Sequence, residues 1–102
     1  MTRDFEEHVR QALDALPPEL ARGLENVAVV VEQENPDEPG LLGLFEEAPY
    51  MPAKVTIYRR PLEADFGHDS AVLEHEIRVT VLHELAHYFG IDEQTLAELG
   101  YA

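Results

Sequence analysis

Apolar residues recur at helical spacing through the start of the chain: Phe5, Val9, Ala12, Leu13 and Leu16, with Glu6, Glu7, Arg10 and Asp14 between them. That period predicts an amphipathic helix from about Asp4 to Leu16, its stripe turned to a core and its end set by Pro17-Pro18. A second short helical piece over 19–24 leads into Val27-Ala28-Val29-Val30-Val31, a β-branched run that predicts a buried strand. Residues 32–40 hold two prolines, Asn35 and four acids, which is the chemistry of a loop. Leu41-Leu42-Gly43-Leu44-Phe45 predicts a short strand whose glycine marks a bulge or a close approach by another backbone. A second loop follows, with Pro49 and Pro52 bracketing Tyr50-Met51. Residues 54–60 then alternate, Val55 and Ile57 on one face and Lys54, Thr56 and Tyr58 on the other, as a strand closed by Pro61.

Residues 62–69 read as a polar loop, with Asp69 or Ser70 placed to cap the next element. That element is a helix over 70–89. Leu73, Ile77 and Val81 form one stripe, while Val79, Leu82, Leu85 and Ala86 occupy other sides. A helix apolar nearly all round is buried among other elements, so this one is expected at the centre, with the sheet on one side and the first helix near another. Gly90 stops it, and 94–100 predicts a last short helix. The expectation is an α+β fold: a short mixed β-sheet packed against a long central helix and an N-terminal helix.

Composition narrows this further. With 102 residues, 45% of them apolar, the chain is expected to form a single domain over 1–102 with a modest core. It is too short for the two-lobed cleft of a large hydrolase. A formal net charge of −14 argues against nucleic acid and anionic membranes as partners. No cysteine is present, so disulfides and thiol nucleophiles are excluded. No apolar run approaches ~18 residues and the start lacks a signal-peptide pattern, so the expected location is cytoplasmic.

The chemistry concentrates in His83-Glu84-Leu85-Ala86-His87, an HExxH motif in the last two turns of the long helix. Residues four apart lie one turn above each other, so His83 and His87 share a face and suit one Zn²⁺ at roughly 2.0–2.1 Å from each imidazole. Glu84 lies about 100° round the helix from His83, beside such a metal, where a general base for a metal-activated water belongs. Glu76, two turns before His83, is placed either to accept an imidazole N–H or simply to face solvent.

Two histidines are too few, because a catalytic zinc takes three protein ligands and leaves one position open. In the longer pattern HExxHxxGxxH the third ligand falls ten residues after the first histidine, which here is Glu93; Asp92 is the alternative third ligand. Both acids also suit the start of the following helix. Tyr50, Tyr58, His68 and Tyr88 are candidates for an oxyanion donor.

The run VTVLHELAHYFGIDE over 79–93, with LLGLF at 41–45 and IYRRP at 57–61, resembles the small bacterial zincin-like family called minimal metalloproteases, or mini-zincins. The similarity extends from the strand at Asn26-Val27 to Leu99-Gly100. The resemblance implies a zincin-like minimal fold, a zinc cofactor and metallopeptidase activity. It assigns His83 and His87 as ligands, Glu84 as base and the acidic residue after Gly90 as third ligand. Where the family often has Leu-Tyr-Glu-Gly, this chain has Leu44-Phe45-Glu46-Glu47 and so lacks the tyrosine. The function expected is zinc-dependent hydrolysis of peptide bonds in extended or unstructured polypeptides, bound as an added strand along a free sheet edge. The alternatives are a non-catalytic zinc-binding interaction module with an acidic surface, and a metal-free acidic adaptor.

Overall fold

The computed structural model describes residues 4–98 and 100, apart from the side chains of residues 19, 87–89 and 93. The first helix, α1 (Phe5–Asp14), starts where the Asp4 carboxylate accepts the Glu7 N–H, satisfying one of the unpaired donors of the first turn. Its stripe of Phe5, Val9 and Ala12, continued by Leu16 just beyond, is buried as its period predicts. Pro17 and Pro18 end that segment and open α2 (Pro18–Gly23).

Three strands follow: β1 (Val27–Glu32), β2 (Gly43–Glu46) and β3 (Ala53–Tyr58). Their order is β1-β3-β2, with β1 parallel and β2 antiparallel to the central β3. The sheet is therefore mixed, as expected. The register aligns Val29, Val55 and Phe45 in one row and Val31, Ile57 and Gly43 in the next. These rows face the core, where Val55 and Ile57 are fully buried. The loop 33–42 crosses the C-terminal end of the sheet to reach the far edge. It is tied there by an N–H···O bond from Arg60 to Gln33 and by the Asn35 amide donating to the Tyr58 hydroxyl at 3.0 Å.

Three sequence expectations need correction. Val27–Val31 is an edge strand packed on one face, with Ala28 exposed, because a run of valines reads the same whether one face or both are covered. The third strand stops at Tyr58, and Arg59–Phe66 forms helix α3 where a polar loop was expected. Pro61 stands at its third position, where the backbone N–H would have no helical partner anyway. Leu62 is fully buried and Phe66, one turn on, packs against the same core, so tertiary contact holds a helix that propensity alone would not. The ladder of β2 also runs without a bulge from Gly43 to Glu46.

Helix α4 (Ser70–Phe89) has the bounds the sequence predicts. The Asp69 carboxylate accepts the N–H groups of Ala71 at 2.8 Å and Val72 at 3.2 Å. At the other end Gly90 takes a left-handed conformation, φ 68°, and the Ala86 carbonyl accepts from Ile91 at 2.9 Å, closing the last turn. Ile77, Val81 and Leu85 face the sheet and α1; Leu82 and Ala86 face Leu16 and Leu96, the last from α5 (Glu93–Glu98). Central placement is thus met. Among the described residues no helix is long and apolar enough to cross a membrane.

Candidate metal centre

With the sheet, α1 and α5 occupying the other sides of α4, one side is left over. Glu76, Val79, Thr80, His83 and Glu84 occupy it, and across from them run Glu38 and Gly40 to Gly43. Between the two walls lies an open groove of about 440 Å³. His83 and Glu84 are half-buried in its wall. Two neighbours in the sequence thus line one groove because they stand about 100° apart on a helix seen from the side.

Gly43 shows how closely the walls meet. It lies in the core-facing row of β2, and a Cβ there would sit 2.6 Å from the Thr80 methyl, 3.3 Å from the Thr56 carbonyl oxygen and 3.6 Å from Cγ of Glu84. The close approach read from this glycine is therefore real, though a helix side chain makes the tightest contact. Thr80 is buried and its hydroxyl donates to the Glu76 carbonyl at 2.8 Å, so it has little room to retreat. We expect Gly43→Val to destabilise the fold by about 1–3 kcal/mol through overpacking. A urea midpoint unchanged from wild type would show that the walls separate freely.

His87 stands one helical turn beyond His83, in the i, i+4 relation that a shared metal requires. Its side chain, with those of Tyr88 and Glu93, lies outside the described residues. Among the described residues no three metal-ligating side chains come together. Asp92 is exposed and caps α5, its carboxylate accepting the Thr95 N–H at 2.8 Å. Hydrogen bonds from the backbone and then the side chain of Thr95 hold its carboxyl below the usual range. A carboxylate that caps with one oxygen keeps a second, so this role is compatible with ligation.

Of the oxyanion candidates, Tyr50 is fully exposed on a distant turn, Tyr58 is buried and bonded to Asn35, and His68 is exposed before α4; none lines the groove. Glu76 does line it, and among the described residues no hydrogen bond joins Glu76 to His83. The sequence reading missed two features. Glu38, from the acidic loop, stands on the opposite wall, and no local pattern marks it. His8 is buried on α1 and pairs with Glu74 of α4 at 2.6 Å, fastening the two helices together away from the groove.

A three-stranded mixed sheet backed by a long helix bearing HExxH defines a small α+β domain of the zincin type. The sequence profile of zincin-like metallopeptidases matches residues 24–101, and the chain belongs to that family. Among curated proteins no sequence matches it.

Proposed function

We propose that the protein is a zinc-dependent peptidase that cleaves extended or unstructured polypeptides in the groove between α4 and β2. The observation that carries this reading is the pairing of His83 and Glu84 on the wall of a groove that runs beside a sheet edge, in a chain of zincin-like metallopeptidase ancestry. The donor set fits zinc: imidazoles of His83 and His87 spaced one turn apart, with a carboxylate from Glu93 or, alternatively, Asp92 after the Gly90 turn. Gly43 lets the β2 wall approach α4 closely beside Glu84, where an added Cβ would lie 3.6 Å from the Glu84 Cγ. When bound, zinc supplies a Lewis acid that lowers the pKa of water towards about 7 and polarises the scissile carbonyl.

The protein's own groups would do the rest. Glu84 takes the proton from the attacking water and passes it to the leaving amine nitrogen. Among the described strands β2 pairs only with β3, so its outer edge has backbone N–H and C=O groups for an incoming extended chain. Leu41, Leu42 and Val79 give the groove an apolar lining that limits water around the reacting bond. A folded substrate could not place its backbone along that edge, which favours unstructured polypeptide. The proposed setting is the cytoplasm, which suits a chain without cysteine.

The test is a zinc titration joined to a broad peptide library read by mass spectrometry. Cleavage that a chelator silences and added zinc restores supports the reading; a protein that takes up no zinc at neutral pH ends it. The third ligand is separable. If Glu93 completes the site, Glu93→Ala weakens zinc much more than Asp92→Ala does, and the reverse order hands the role to Asp92. Equal small losses would mean that neither carboxylate ligates.

A further inference from the structure

The groove holds two carboxylates that the proposed chemistry does not use. Glu76 lies on the α4 wall and Glu38 on the loop wall facing it. Neither forms an ion pair or a side-chain hydrogen bond with another described residue. Among the described residues Lys54 pairs with Glu46, Arg59 with Glu63 and Arg60 with Glu34. No lysine or arginine is among the described residues that line the groove, and its remaining walls are largely apolar. Carboxylates in such a cleft focus a negative field more strongly than the same groups on an open surface.

The Glu38 wall is also held in place. Its N–H donates to the Asn35 side-chain oxygen at 3.0 Å, and its carbonyl accepts from Leu41 at 3.0 Å. Asn35 in turn donates to the hydroxyl of Tyr58, a residue only 4% exposed in the central strand. The acidic loop is therefore a fixed rim, fastened to the sheet by a side chain that makes three hydrogen bonds.

We propose that the groove selects polypeptides carrying a lysine or arginine side chain on one side of the cleaved bond, held between the carboxylates of Glu38 and Glu76. The inference rests on the peptidase reading and names its substrate class. Glu76 stands seven residues before His83 on α4, about 10 Å along the axis at ~1.5 Å per residue. An extended chain advances ~3.3–3.6 Å per residue, so the basic side chain sits about three residues from the reacting position. Facing carboxylates attract a cation there and repel an acidic residue in its place.

The test uses a set of short synthetic peptides, each differing only in whether one scanned position is Lys, Gln or Glu. Binding to the zinc-loaded Glu84→Gln protein is read by fluorescence anisotropy, and cleavage by the wild type is followed in parallel. At low salt the Lys peptide with the best-placed side chain should bind on the order of tenfold more tightly than its Glu counterpart. The gap should narrow between about 20 mM and 300 mM salt, as screening shortens the reach of the field. Glu38→Gln and Glu76→Gln should each shrink the preference, and the double variant should remove it while neutral peptides bind as before. Equal binding of Lys and Glu peptides, a preference that survives in the double variant, or no binding by any peptide would overturn the proposal. If the charge preference appears in binding while the wild type cleaves nothing, the groove's selectivity stands and the peptidase reading fails.

Discussion

Glu84→Gln is expected to lower peptide hydrolysis by on the order of 10²–10⁴-fold and to leave zinc in place, the loss that follows when a general base is removed. The physical case rests on geometry. Glu84 is adjacent in sequence to the first histidine of the motif, so on α4 it is turned beside the ligand direction rather than along it. The residue is half-buried in the groove wall, where its Cγ comes close to Gly43 of the facing strand. Glutamine retains the length and helix propensity of the side chain but does not accept a proton at neutral pH. Fold and metal content should therefore be unchanged, which separates loss of chemistry from loss of structure. The measurement is turnover against the most readily cleaved library peptide, with zinc content determined on the same samples. Equal turnover by variant and wild type would assign the proton transfer to another group. If both hold zinc and neither cleaves anything, the non-catalytic zinc-binding module becomes the better description.

His83→Ala and His87→Ala are each expected to abolish stoichiometric zinc binding. Losing an outer-shell partner of a metal ligand typically costs 10–100-fold in affinity, and losing the ligand itself should cost more. With one imidazole gone, only two protein donors remain of the three a catalytic site uses. His83 stands at the edge of the packed side of α4, and the motif lies in the last two turns, after the buried run of Leu73, Ile77 and Val81. Alanine is favourable in helices, so neither substitution should unfold the domain. Isothermal titration of the metal-free proteins is the measurement. A variant that still takes up one zinc per chain with wild-type affinity would remove that histidine from the ligand set. If both did so, the i, i+4 pair would have no metal role, and the acidic-adaptor reading would gain.

How much of this was legible in the sequence depends on the range of the interaction involved. The bounds of α4 were readable at both ends, because Asp69 caps through N–H groups two and three residues away and Gly90 closes the helix within five. The i, i+4 spacing of His83 and His87, and the position of Glu84 beside them, follow from helix geometry alone. The stripe of α1 was likewise set by period, since burial of one face imposes it; in β3 the alternation placed Val55 and Ile57 on the core face, but Thr56 and Tyr58 opposite them are buried as well.

What the tertiary structure alone decided involves residues far apart in the chain. Helix α3 exists because Leu62 and Phe66 reach the core, a contact that no count of local propensity over 62–69 contains. Val27–Val31 became an edge strand because, among the described strands, only β3 pairs with it and on one side alone. Gly43 matters because Thr80, 37 residues later, fills the place of its side chain. The opposition of Glu38 and Glu76 likewise needs the loop to cross the sheet and α4 to pack beside β2. Hydrogen-bonded turns and helical faces are settled by atoms a few residues apart and so are written locally. A groove has two walls from separate parts of the chain, and only the packing of helix on sheet brings them together.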